Sequence, residues 1–218
     1  MRFSLLLLLT ISSAPAQDAG ITRTDWPHYG GTQSSWRYSG LDQINTTNVK
    51  SLTPAWLFQT GDYAENLQAT PIVSGGVLYL ISARARVFAL DAATGSLIWQ
   101  YQHPEPPANI RGFVGSRGLA VSDGKVIFGT KDNSMVALDQ KTVRLFWKVG
   151  LDDTRQCGCN ITAAPLVVKD KVIVGGTGGD NAHRGYITAL FTKNGRLAWR
   201  WYVVPGPGEK GNETWKGD

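Results

Sequence analysis

A tryptophan recurring about every fifty residues, a common phrase ahead of each, and apolar runs cut by Gly, Asp and Asn turns predict an all-β chain. The architecture they predict is a β-propeller of four-stranded antiparallel blades. The first copy of the phrase runs through Ala89-Leu90-Asp91 and Thr94-Gly95 to Trp99. The second runs through Ala137-Leu138-Asp139 and Thr142-Val143 to Trp147, the third through Ala189-Leu190-Phe191 and Asn194-Gly195 to Trp199. Trp56 is placed to close an earlier, partial copy.

Each copy ends a unit of four short strands. In the first unit, Thr70 to Val73 leads through Ser74-Gly75-Gly76 into Val77 to Ser82. Val87 to Asp91 then turns at Thr94-Gly95 into Ser96 to Gln102. The second unit repeats the pattern around Ser122-Asp123-Gly124 and Lys131-Asp132-Asn133. The third turns at Lys169-Asp170 and carries a longer loop, Thr177 to Arg184. No stretch has helical periodicity. A sheet with two apolar faces cannot cover both alone, and radial stacking covers them while leaving only short edges. Three units and an N-terminal segment make a partial ring.

Residues 1–16 stand apart. Arg2, the apolar run Leu5 to Leu9 with Ile11, and Ala14-Pro15-Ala16 form the three parts of a cleaved signal peptide, so a soluble, periplasmic protein is expected over 17–218. The run is too short to span a bilayer, no later run is long enough, and no cysteine follows it as in a lipoprotein. A net charge of +5 without a Lys/Arg cluster argues against nucleic acid as a partner. Cys157 and Cys159 are too few for a disulfide scaffold and lack zinc or haem-attachment spacing; they either pair with each other or are two small loop residues.

The phrase Ala-x-Asp-x-x-Thr-Gly-x-x-x-Trp resembles the tryptophan docking motif of the pyrroloquinoline quinone (PQQ) dehydrogenases, matched in full by the first copy. Val143 replaces the glycine in the second, and Phe191 the aspartate in the third. Asp25-Trp26-Pro27-His28-Tyr29-Gly30-Gly31, Ala69-Thr70-Pro71 and Ala164-Pro165-Leu166 are also similar to that family. The resemblance runs over nearly all of 17–218 and implies that this is the N-terminal portion of an eight-bladed enzyme.

It also implies site residues. Thr177-Gly178-Gly179-Asp180 with Arg184-Gly185 is similar to the family's cofactor segment, in which small residues let the backbone approach PQQ and a carboxylate binds calcium. Asp180 would be the metal ligand, calcium being a hard cation that takes carboxylate oxygens. Arg117 matches an arginine that contacts the quinone carbonyls, where a guanidinium offers a planar fork of donors. Thr162 matches a threonine that bonds the cofactor. Gln68 stands where the family has a cofactor-binding glutamate. Without the resemblance, 178–180 would be a solvated loop, Arg117 a surface arginine and Thr162 a residue opening a strand.

Other features depart from the family. Arg111-Gly112-Phe113-Val114 occupies the stretch where alcohol-oxidising members carry two adjacent cysteines. The family's tryptophan floor, asparagine calcium ligand and aspartate base come from later blades, and none is assigned here. The expected activity of a complete enzyme is oxidation of an alcohol or sugar. It would use PQQ with calcium or a lanthanide, and pass electrons to a cytochrome c or membrane quinone. This chain alone is expected to be inactive. The alternative is a non-catalytic propeller serving as a protein-interaction scaffold.

Overall fold

The computed structural model describes residues 25–63, 66–105, 115–181 and 183–214. The candidate signal peptide, the 111–114 stretch and the last four residues lie outside this set. Twelve strands form three four-stranded antiparallel sheets, each in sequential order. The first blade holds β1 (Ile72–Ser74), β2 (Val77–Ile81), β3 (Arg86–Asp91) and β4 (Leu97–Gln102). The second holds β5 (Ala120–Ser122), β6 (Lys125–Gly129), β7 (Ser134–Asp139) and β8 (Leu145–Gly150). The third holds β9 (Leu166–Val168), β10 (Lys171–Gly175), β11 (Tyr186–Phe191) and β12 (Leu197–Tyr202). These bounds match the expected strands to within about two residues. Three short 3-10 turns (Val49–Ser51, Gly179–Asn181 and Asn212–Thr214) and one α-helical turn depart from the all-β expectation among the described residues. The α-helical turn, α1, Thr154–Cys157, is capped by the Asp153 carboxylate and ends at left-handed Gly158.

The phrase that marks each blade has a mechanical role. Asp91 Oδ1 accepts from the amides of Ala93 and Thr94 and from the Thr94 hydroxyl, which closes the β3–β4 turn. The Thr94 amide and hydroxyl hold its carboxyl below the usual range. Asp139 does the same for the β7–β8 turn. Across each seam, a tryptophan donates to the next blade's turn: Trp56 Nε1 to Ala92 O (3.1 Å), Trp99 Nε1 to Gln140 O (3.0 Å) and Trp147 Nε1 to Thr192 O (3.0 Å). Trp56 therefore does close a partial copy. At Gly95 a Cβ would lie 2.5 Å from the Trp56 ring, so the glycine is needed for the ring to seat. Val143 occupies the matching turn at φ +62°, a costly conformation for a β-branched residue.

The core lies in the seams between blades. Ile81, Val87 and Ala89 of the first blade meet Val126, Phe128, Val136 and Leu138 of the second. Ile127, Met135, Ala137 and Trp147, on the opposite face of the second blade, meet Val172, Val174, Tyr186 and Leu190 of the third. The period-2 alternation of side chains thus feeds both faces of the middle blade into separate seams. The N-terminal segment covers the other face of the first blade, where the rings of Phe58 and Phe88 are 5.2 Å apart. An earlier part of it straps the inner strands: Trp26 bridges to Val73, and Gln33 Nε2 donates to Val167 O at 3.1 Å.

Candidate functional site

The inner strands β1, β5 and β9 lie side by side, so the segments entering them converge on one axis. The Thr70 amide donates to Arg117 O at 3.1 Å, and the Arg117 amide to Thr162 O at 2.8 Å. These two bonds stitch three blades together just ahead of their first strands. Side chains repeat the link, with Arg117 Nη1 donating to Thr162 Oγ1 at 2.7 Å. Thr162 is buried, whereas Arg117 is exposed. One edge of the guanidinium is fixed, and its other N–H groups remain to donate to an oxygen-rich ligand. The Thr162 hydroxyl accepts from Arg117 and keeps its own hydrogen to donate. The family resemblance implies a cofactor contact for each residue; the structure shows that they contact each other.

Antiparallel pairing of Leu166 with Ile173 brings the end of β10 to the same end of the blade as the start of β9. The Thr177–Asp180 loop therefore emerges beside Thr162. Asn160 holds it there: the Thr177 amide donates to Asn160 O at 2.9 Å, and the Asn160 amide donates to Thr177 Oγ1 at 3.1 Å. The two side chains are also bonded to each other. Gly178 has φ +110°, and a Cβ there would lie 3.0 Å from Cys159 Cβ. At Gly179 a Cβ would meet nothing within 4 Å, so that stretch of backbone is open to approach. Asp180 is exposed.

Gln68 is exposed two residues ahead of Thr70, at the rim of the same axis. Among the described residues, no hydrogen bond joins Gln68 or Asp180 to Arg117 or Thr162. A cavity of about 290 Å³ lies between Arg117, the strap residues His28, Tyr29 and Gln33, and Ala164 and Leu166 at the entry of β9. Arg184 is turned away from the loop toward the chain that follows β12. It stacks over Tyr202 with its guanidinium carbon 4.0 Å from the ring centroid and pairs with Glu209.

The Cys157–Cys159 pairing, one of two alternatives the sequence leaves open, is a disulfide. Two further features have no signal in the sequence. Asn160 is buried and organises the loop, and a lone Asn in a polar stretch gives no signal of that. His183 brings a ring nitrogen within 4.8 Å of both sulfurs, the one such grouping among the described residues. Sulfurs joined to each other lack the thiolate charge a metal requires, so this grouping is not a metal centre as it stands. Burial pushes the Tyr186 phenol up to about 12, which keeps it protonated and removes it as a general base.

Residues 26–218 match the PQQ glucose/ethanol/alcohol dehydrogenase β-propeller domain family. The chain is 40% identical over 210 residues to the dehydrogenase subunit of the quinone-dependent alcohol dehydrogenase of Gluconobacter oxydans, covering 92% of this chain and 28% of that protein. It is 36% identical to the quinohemoprotein alcohol dehydrogenase ADH IIB of Pseudomonas putida, covering 100% and 34%. Among solved structures it superposes on the quinohemoprotein alcohol dehydrogenase ADHIIG of Pseudomonas putida HK5 with a TM-score of 0.81 at 38% identity, covering 90% and 30%. A europium-containing methanol dehydrogenase gives 0.76 at 35%, covering 84% and 33%. The chain spans about a third of the length of these relatives.

Proposed function

The chain belongs to the PQQ-dependent glucose/ethanol/alcohol dehydrogenase family, and from that premise we propose that it forms the quinone-contacting side of a periplasmic enzyme that oxidises an alcohol or sugar. The observation that carries this reading is the axial Arg117–Thr162 pair beside the Thr177–Asp180 loop. PQQ is a planar quinone bearing carboxylates, and the donor set suits it. Arg117 supplies a fork with one edge already fixed, Thr162 a hydroxyl hydrogen, and Gly179 a stretch of backbone without side-chain cover. When bound, PQQ supplies the two-electron acceptor chemistry.

In this reading Arg117 binds and orients a quinone oxygen and stabilises negative charge that develops on it. Thr162 holds Arg117 in that orientation. Asp180 offers a hard carboxylate oxygen for calcium, the donor type a lanthanide ion also accepts. Gln68 adds a neutral amide at the rim. A cytochrome c or a membrane quinone would take the electrons onward. No residue of this chain is assigned as the base that removes the alcohol proton, and the chain alone is expected to be inactive.

Titration of the 218-residue protein with PQQ, followed by quenching of its tryptophan fluorescence with and without calcium, tests the proposal. Saturable, calcium-dependent binding that falls at least about tenfold in Arg117→Ala supports it, since a lost charge-assisted hydrogen bond is worth roughly that much. Binding that ignores both calcium and Arg117 would overturn it. Robust oxidation of ethanol or glucose by the chain alone, in a dye-linked assay with PQQ and calcium, would overturn the assignment of the base to another part of the enzyme.

A further inference from the structure

Among the described residues, the only disulfide, Cys157–Cys159, sits directly under the loop assigned to the cofactor. It closes a loop with a sequence separation of only 2, so its effect on the unfolded chain is at the small end for a disulfide. Its value must lie in local geometry. Between the two cysteines, Gly158 is left-handed, and its carbonyl accepts from Asn181 Nδ2 at 3.2 Å. Above Cys159 there is no space: a Cβ on Gly178 would lie 3.0 Å from Cys159 Cβ and 3.1 Å from its Cα. Below, Asn133 Nδ2 donates to Cys159 Sγ at 3.2 Å from a wholly buried position in the β6–β7 turn. The next residue, Asn160, carries the bonds to Thr177, and Thr162 carries the bond to Arg117.

Segment 157–162 is therefore a single short bridge. Its first half supports the Thr177–Asp180 loop from beneath, and its second half fixes Arg117. The helical turn that leads into it is only four residues long and is marginal by itself.

We propose that the Cys157–Cys159 disulfide is a positioning clamp, which holds the Thr177–Asp180 loop in register with Arg117 and makes that register sensitive to thiol reduction. The proposal rests on the quinone-binding reading for its consequence in binding, and on the geometry above for its effect on the loop. A dithiol opens the clamp with two electrons and two protons, leaving two cysteine thiols while the dithiol closes to its own disulfide. Without the bond, Cys157 and Cys159 are free to separate. Cys159, whose Cα and Cβ meet Gly178, is then free to shift, and the Asn160–Thr177 bonds lose the bridge that aligns them.

The experiment compares amide hydrogen exchange in three states of the full chain: oxidised, reduced by dithiothreitol, and Cys157→Ser/Cys159→Ser. Expected is at least about tenfold faster exchange at Thr177 and Asn181 in both opened states, with β6, β7 and β10 amides unchanged. Unchanged exchange at Thr177 and Asn181 would overturn the clamp, as would loosening spread equally over all three blades. PQQ titration of the same samples separates the two claims. A loosened loop with PQQ affinity reduced severalfold supports clamp and quinone site together. A loosened loop with unchanged PQQ affinity keeps the clamp and overturns the assignment of that loop to the quinone.

Discussion

Strands β6 and β10 have nearly the same sequence, Lys125-Val126-Ile127-Phe128-Gly129 and Lys171-Val172-Ile173-Val174-Gly175, yet they live in different surroundings. Every residue of β6 after its lysine is buried, whereas β10 alternates buried and half-buried positions. The middle blade is enclosed by seams on both faces, and the third blade is covered on one face by the described residues. Its tryptophan shows the contrast most clearly. Trp147 is 7% exposed and donates to Thr192 O, while Trp199, at the same place in the repeat, is 41% exposed with Leu197 and Trp201 beside it. A repeat encodes a surface able to pack, and the neighbouring blade determines whether it does so. The proposed site spans the same contrast. Thr162 is buried and fixes one edge of the exposed Arg117 across the seam, whereas Asp180 stands exposed on the third blade with no bond to either among the described residues.

The largest effect that could break this comparison is expected at the tryptophans. Trp147→Ala should lower unfolding free energy in urea by about 3–5 kcal/mol, and Trp199→Ala by less than about 1 kcal/mol. Equal losses would mean that Trp199 is covered in solution. The strand pair gives the next test. Ile127→Ala should cost about 2–4 kcal/mol and Ile173→Ala about half as much, because Ile173 faces the uncovered side.

Acid sharpens the picture of the first seam. Burial pushes the Asp132 carboxyl up, but it is outweighed by His103 Nε2 at 3.8 Å, Lys148 Nζ at 2.8 Å and the Thr130 hydroxyl, which together hold it well below the carboxylate range. A depressed folded value gives stability that is present above the unfolded value near 3.9 and is lost as pH falls below it. Asp132→Asn should therefore cost about 2 kcal/mol at neutral pH, with the gap to the parent closing in urea titrations below about pH 4. The smallest effect is expected at Val143. Val143→Gly should raise stability by up to about 1 kcal/mol by relieving its left-handed backbone and letting Trp99 settle, read as a higher urea midpoint at constant slope.

Much of the fold was legible in the sequence because its signals are local. The Asp-x-x-Thr-Gly phrase closes a turn with its own atoms, so Asp91 and Asp139 announce hairpins wherever they stand. The tryptophan interval sets blade length. Where the phrase degenerates, the turn survives on other means. Beside Phe191, the Asn194 side chain accepts from the Arg196 amide. The resemblance of their segments to a family also singled out Arg117, Thr162 and the 177–180 loop, and the structure brings these three segments to one end of the blades.

What the sequence by itself determined is the all-β class, the three blades, their turns and the family to which the chain belongs, because each depends on residues close together in the chain. The tertiary structure alone decided which face of each blade is covered, that Thr162 anchors Arg117 across 45 residues, and that Asn160 and the paired cysteines support a loop some 17 residues further on. Those contacts are made across seams and between strands, and side-chain periodicity carries no record of which neighbour a given face or loop will meet.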